Sequence, residues 1–126
     1  MASLSLRIDL VPTGRIGPGK IELLEKIAAF GSISAAGRAM GMSYRRAWEL
    51  VEDINGMFGQ PVIERKAGGR HGGGARLTTV GLALVTRFRA IEQAAAEAAG
   101  AHLSALQAEV AQGAAADRTK PPAQDA

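Results

Sequence analysis

The stretch Ile33-Ser34-Ala35-Ala36-Gly37-Arg38-Ala39-Met40-Gly41-Met42-Ser43-Tyr44-Arg45-Arg46-Ala47-Trp48-Glu49-Leu50-Val51 reads as two short helices joined at Gly41. Ala36 and Gly37 are small enough to let two helix axes cross closely, and Met40, Met42, Ala47 and Leu50 supply apolar contacts that fix the crossing angle. Ser34 and Ser43 can each accept a backbone N–H, so both helix starts are expected to be capped by serine. Such a pair is a helix-turn-helix, whose second helix points to double-stranded DNA as the partner.

That second helix is expected to run from about Ser43 toward Phe58, loosened by Gly56 and Gly59 and barred from continuing by Pro61. On a helical wheel Ala47, Leu50, Val51, Ile54 and Phe58 share one stripe, with Tyr44 at its edge, so this stripe faces the core. Arg45, Glu49 and Glu52 lie opposite, with Arg46 and Trp48 on the shoulders. The first turn is therefore basic and the later turns acidic, and only the first turn suits a DNA groove.

Working outward, residues 4–10 alternate Leu4, Leu6, Ile8 and Leu10 with Ser5, Arg7 and Asp9, the period-two mark of an edge strand. Pro12, Gly14, Gly17, Pro18 and Gly19 predict a loop. Ile21, Leu24, Ile27 and Ala28 then recur at helical spacing as far as Phe30, with Gly31 placed to cap the helix end. Beyond Pro61, residues 62–65 read as a strand, 67–75 as a glycine-dense loop, and Arg76-Leu77-Thr78 as a short return strand. The loop is no phosphate cradle of the nucleotide-binding kind, because a strand-to-helix context and a following Lys-Ser or Lys-Thr are missing.

From Thr78 or Thr79 a long helix is expected, since Val80, Leu84, Phe88, Ile91, Ala95, Ala98 and His102 keep close to a four-three spacing. A second copy of the chain is the natural cover for this apolar face, and a solvated rod or a helix folded back on its own domain is the competing reading. The fold class is thus mainly α with a small β component: a winged helix-turn-helix over residues 4–78, a dimerisation helix over 79–112 and a disordered tail over 113–126.

Composition removes other chemistries. Among 126 residues there is no cysteine, which excludes disulfides, thiolate metal sites and cysteine nucleophiles together. The two histidines, His71 and His102, lie far apart, and no acidic pair or nucleophile sits in a catalytic setting, so neither metal, cofactor nor enzymatic role is expected. No run approaches the roughly 20 apolar residues of a membrane span, and the N-terminus lacks a secretory signal, so a cytoplasmic location without a membrane partner is expected. The net charge of +3 is mild but unevenly placed. Arg65, Lys66, Arg70, Arg76, Arg87 and Arg89 follow one another with no acidic residue between, a local positive field suited to a polyanion.

The blocks Leu6-Arg7-Ile8-Asp9-Leu10, Gly17-Pro18-Gly19-Lys20, Gly31-Ser32-Ile33-Ser34-Ala35-Ala36, Met42-Ser43-Tyr44-Arg45-Arg46-Ala47-Trp48 and Gly72-Gly73-Gly74-Ala75-Arg76-Leu77-Thr78 together resemble the N-terminal domain of the molybdate-responsive ModE regulators, over residues 4–95. More distantly the arrangement is similar to the DNA-binding domain of LysR-type regulators, which pair through a long helix after the wing. The resemblance implies a homodimeric regulator on a partly palindromic operator. ModE regulators continue into oxyanion-binding domains that this sequence does not reach. The expectation is therefore a stand-alone DNA-binding version without its own molybdate site, its signal coming from a partner protein, from the cellular concentration of the dimer or from a small ligand. The alternatives are an interaction module that pairs through the long helix with a larger regulator, and an architectural DNA binder of low specificity.

The expected DNA contacts are Ser32, Ser43, Tyr44, Arg45, Arg46, Trp48, Arg70, His71 and Arg76. Arg45 is the first choice for a base, because its fork can donate to both O6 and N7 of guanine; an ion pair with Glu49 competes for it. Arg46 divides between a phosphate contact and packing of its stem, and Trp48 between covering the domain edge and pressing on the sugar-phosphate backbone. Arg70 and His71 at the wing tip have nothing to pack on, whereas Arg76 can instead pair with Glu64. Leu84, Phe88, Ile91, Ala95, Ala98 and His102 are the expected dimer face. His102 is read there as a packed residue rather than a metal ligand.

Overall fold

The computed structural model describes residues 2–12, 14–66 and 74–117. Its elements are β1 (Ile8–Asp9), β2 (Arg15–Ile16), α1 (Pro18–Phe30), α2 (Ile33–Ala39), α3 (Tyr44–Phe58), β3 (Ile63–Arg65), β4 (Ala75–Leu77) and α4 (Thr79–Asp117). The described residues divide into two compact units, one drawn from 5–91 and one from 2–4 and 92–117.

In the first unit, α1 opens on Pro18, whose missing N–H is harmless in a first turn. It buries Ile21, Leu23, Leu24 and Ile27 and stops where Gly31 takes φ 67° and donates its N–H to the Ile27 carbonyl at 2.8 Å. The serine cap of α2 differs from the expectation. Ser32, with extended backbone, accepts the Ala35 N–H at 3.0 Å, whereas Ser34 already lies inside the helix and its Oγ accepts from Arg38. Ser43 caps α3 as expected, accepting the Arg46 N–H at 3.1 Å. Between the helices Gly41 sits at φ 71°, a conformation that side-chain-bearing residues rarely adopt, and this reverses the chain within a single turn. A Cβ built on Gly37 would lie 3.2 Å from that of Ala47, so α2 and α3 cross at a point where only glycine fits without movement.

The first strand is shorter than its alternation predicts. Only Ile8 and Asp9 pair, antiparallel with Ile16 and Arg15, because the hairpin closes at once through the Leu10 N–H on the Gly14 carbonyl. The prolines and glycines predict a loop at β2, yet this strand contributes buried Ile16 to the core. The second hairpin forms where expected, its strands beginning at Ile63 and, one residue earlier than read, at Ala75, with Ile63 opposite Leu77, Glu64 opposite Arg76 and Arg65 opposite Ala75. It hangs from α1 through the Ala75 N–H on the Gly31 carbonyl at 2.8 Å, and from α3 through Asn55, whose Oδ1 accepts the Val62 N–H at 2.8 Å.

Thr78 joins the hairpin to α4 by donating to the Pro61 carbonyl at 2.8 Å and accepting the Gly81 N–H at 3.1 Å. A Cβ on Gly81 would collide with the Val62 carbonyl, so α4 meets the hairpin backbone at van der Waals contact. Phe88 is 1% exposed and completes the core with Ile16, Val51, Ile54 and Val62. Arg89 reaches Glu25 of α1 with both ends of its fork, at 2.6 and 3.0 Å. That hydrogen bond holds the Glu25 carboxyl below the ordinary glutamate range against the opposing effect of its partial burial.

In the second unit, α4 runs on through Gly113 to Asp117, into the part of the tail expected to be disordered. Alanines at 114–116 favour helix enough to offset the cost of one glycine, about 1 kcal/mol. The rest of the tail expectation, 118–126, lies outside the described residues. Leu106 and Val110 are 63% exposed there. Among the described residues, no helix is long and apolar enough to cross a membrane.

Candidate nucleic-acid interface

The stripe of α3 read from the sequence is the buried one: Ala47, Val51 and Ile54 are fully buried and Leu50 and Phe58 pack against them. This burial turns the opposite side of the first turn outward. The Arg45 side chain is 90% exposed, and Tyr44 and Arg46 are also exposed. Glu49 is placed between both arginines, with its carboxylate oxygens 3.6 Å from Arg45 Nε and 3.6 Å from Arg46 Nη1. One carboxylate thus faces two guanidinium groups beyond hydrogen-bond distance and in water, where such pairs contribute about 0–1 kcal/mol. Both arginines remain free to exchange this partner for a polyanion.

The wing stands next to this turn. Arg76 donates to Glu64 at 2.9 Å, so the cross-strand pair weighed from the sequence is formed. Arg65 on β3 places its guanidinium 4.8 Å from the centre of the half-buried Trp48 ring and donates to the Tyr44 hydroxyl. Trp48 therefore covers the edge between α3 and β3, while Ser32 and Ser43 are engaged as caps. Arg70 and His71 lie outside the described residues.

Arg65 enters the sequence reading only as one charge in a run. Its signal was a lone tryptophan on a helix shoulder, which wants a cationic or aromatic neighbour, but no local spacing says that the neighbour comes from a strand 17 residues on. A second basic surface also goes unread. Arg7, Arg15 and Lys20 line a cleft of about 330 Å³ with Met40, Met42 and Leu50. Arg15 is paired there with Asp9 at 2.8 Å, and Lys20 donates to the Arg15 carbonyl at 3.1 Å.

The expected dimer face divides. Phe88 corrects the expectation, because it is spent on the core of its own unit; Leu84 is half-buried beside it, and Ile91 is 45% exposed. Ala95 is half-buried, and Ala98 and His102 are exposed. Leu84, Phe88 and Ile91, with Ile8, Leu10 and Phe58, line an apolar groove of about 350 Å³ within the first unit, edged by Arg87. Among the described residues no cluster of His, Asp or Glu could hold a metal ion.

Residues 19–82 match the bacterial regulatory helix-turn-helix proteins of the lysR family. The sequence is 44% identical over 100 residues to the molybdenum-pterin-binding protein MopA of Rhodobacter capsulatus, covering 79% of this chain and 37% of that protein. It is 38% identical over 76 residues to the DNA-binding transcriptional dual regulator ModE of Escherichia coli (strain K12), covering 60% of this chain and 29% of that protein. The chain spans about a third of the length of these curated relatives. Among solved structures, a chain of the CbnR_DBD-DNA complex shares the fold with a TM-score of 0.54 at 18% identity, covering 70% of this chain and 95% of that one.

Proposed function

Because the chain belongs to the lysR family of bacterial regulatory helix-turn-helix proteins, we propose that it is a DNA-binding transcriptional regulator of the ModE type, acting as a homodimer on a partly palindromic operator. The observation that carries this reading is the outward first turn of α3, where Arg45 and Arg46 share one weakly held carboxylate. In the complex this turn enters the major groove. Arg45 reads a base edge, Arg46 holds a phosphate, and Arg70 and His71 extend the contact along the backbone. The name of the Rhodobacter capsulatus relative suggests molybdenum handling as the regulated process.

Dimerisation is supported by the groove beside Ile91 and by the exposed Leu106 and Val110 farther along α4. Two copies paired through α4 set their α3 helices about 34 to 36 Å apart, or a multiple of this, to match two half-sites. Ile91→Glu is expected to convert a dimer to a monomer in sedimentation, and an unchanged dimer would discard this interface.

The test of DNA reading is duplex binding by the full chain. Genome-wide mapping of bound sites supplies the operator, and affinity for it is compared with affinity for random duplex across a salt series. Wild type should bind both, more tightly at the operator, with log affinity falling by about 0.9 per phosphate neutralised for each log unit of salt. Arg45→Ala should lower the operator preference by about tenfold or more, the scale of one bidentate base contact. Equal affinity for operator and random duplex would make the protein an architectural binder, and no binding at low salt would remove DNA from its function.

A further inference from the structure

We propose that Arg65 is a phosphate contact, held ready by Trp48 and Tyr44, and that these two aromatic residues serve DNA binding by positioning it rather than by touching DNA themselves. The inference rests on the DNA-binding reading above and adds to it a residue from the wing. Tyr44 and Trp48 stand four residues apart, so they lie one above the other on a single shoulder of α3. Arg65 comes to this shoulder from β3. Its guanidinium lies over the Trp48 ring, 4.8 Å from the centroid, and one of its N–H groups donates to the Tyr44 hydroxyl.

Three features separate this arginine from its neighbours. Arg45, Arg46, Arg76 and Arg89 each stand within 4.0 Å of a carboxylate, whereas among the described residues Arg65 has no acidic partner. A guanidinium carries five N–H donors, and here only one is committed, to a neutral hydroxyl. An aromatic face and a hydroxyl also restrict the rotamers of a side chain that would otherwise lose much freedom on binding, which is how preorganisation raises affinity. A cation stacked on one face and without a carboxylate partner among the described residues is suited to a singly charged acceptor that presents two exposed oxygens at the flank of the groove that α3 enters. The phosphate backbone beside a recognition helix offers that acceptor.

The experiment uses the full chain, whose only tryptophan reports on the stack. Arg65→Met retains the stem and removes the charge; Arg65→Gln is the second neutral variant, and Tyr44→Phe deletes the hydroxyl alone. Both Arg65 variants should shift Trp48 emission in the absence of DNA. They should also weaken binding to operator and random duplex alike by roughly tenfold, with the salt slope flatter by about one unit. Tyr44→Phe should cost a few-fold in affinity with the salt slope unchanged, because the charge remains. A shifted Trp48 emission with wild-type affinity and slope in both Arg65 variants would overturn the proposal while leaving the DNA reading intact. Failure of wild type to bind any duplex at low salt would overturn both.

Discussion

The two ends of α4 are made of the same regular backbone and obey different rules. From Thr79 to Ile91 the helix is stitched into a core: Phe88 is buried, Gly81 touches the hairpin backbone and Arg89 grips α1. From Glu92 onward its side chains are mostly exposed and alanine-rich, and helix there rests on local propensity. A helix can thus be held by its neighbours at one end and by its own residues at the other. Substitutions that look alike on paper should then have unlike effects at the two ends.

The sharpest contrast is Phe88→Ala against Leu106→Ala. Emptying the core should cost about 3–5 kcal/mol and lower the chemical denaturation midpoint steeply. Leu106→Ala should change the stability of the first unit by less than about 0.5 kcal/mol, as expected of a surface position. Equal losses would mean that the distal helix is covered by something the single chain does not supply.

Two glycines of the same helix should differ in sign. Gly81→Ala drives a methyl into the Val62 carbonyl and is expected to destabilise by about 1–3 kcal/mol, read from thermal melts. Gly100 has nothing within 4 Å of a built Cβ, so Gly100→Ala should stabilise the helix by up to about 1 kcal/mol, measurable as increased helicity by circular dichroism. A loss of helicity there would show that the distal helix needs close approach at that point.

Within the helix-turn-helix, Ser32→Ala should cost about 1 kcal/mol by removing a cap, and Ser34→Ala a few tenths at most. The reverse order in equilibrium unfolding would restore the cap to Ser34. The smallest effect is electrostatic. Glu25 is depressed in the folded state, so its contribution is present above its unfolded value and is lost as pH falls through the folded one. Glu25→Gln should therefore flatten the fall in stability on the acid side of the ordinary glutamate range. Both partners are more than a third exposed, which keeps the change small.

Much of this molecule is legible in its sequence. The buried stripe of α3, the Gly31 cap, the Gly41 turn and the hairpin over residues 62–78 each rest on rules that act within a few residues. The cap of α2 lies at Ser32 and not at Ser34, because serine chemistry is equally good at both and only backbone direction separates them. The β2 strand leaves no signal in the sequence, because two residues carry no periodicity. Phe88 belongs to the core of its own unit although the spacing groups it with the dimer face, because a helical wheel gives the apolar side without saying what lies opposite.

The candidate site divides along the same line. Which residues are basic, and that Arg45 lies opposite the apolar stripe of α3 with Arg46 on its shoulder, follows from composition and a period of 3.6, both properties of neighbouring residues. That Arg65 lies over Trp48, that Arg76 is tied to Glu64, and that Phe88 belongs to the core rather than to a partner are matters of long-range packing. Local stereochemistry repeats every few residues and is written along the chain. Contacts between distant segments depend on how the helices and hairpins fill the same volume, and no periodicity encodes that.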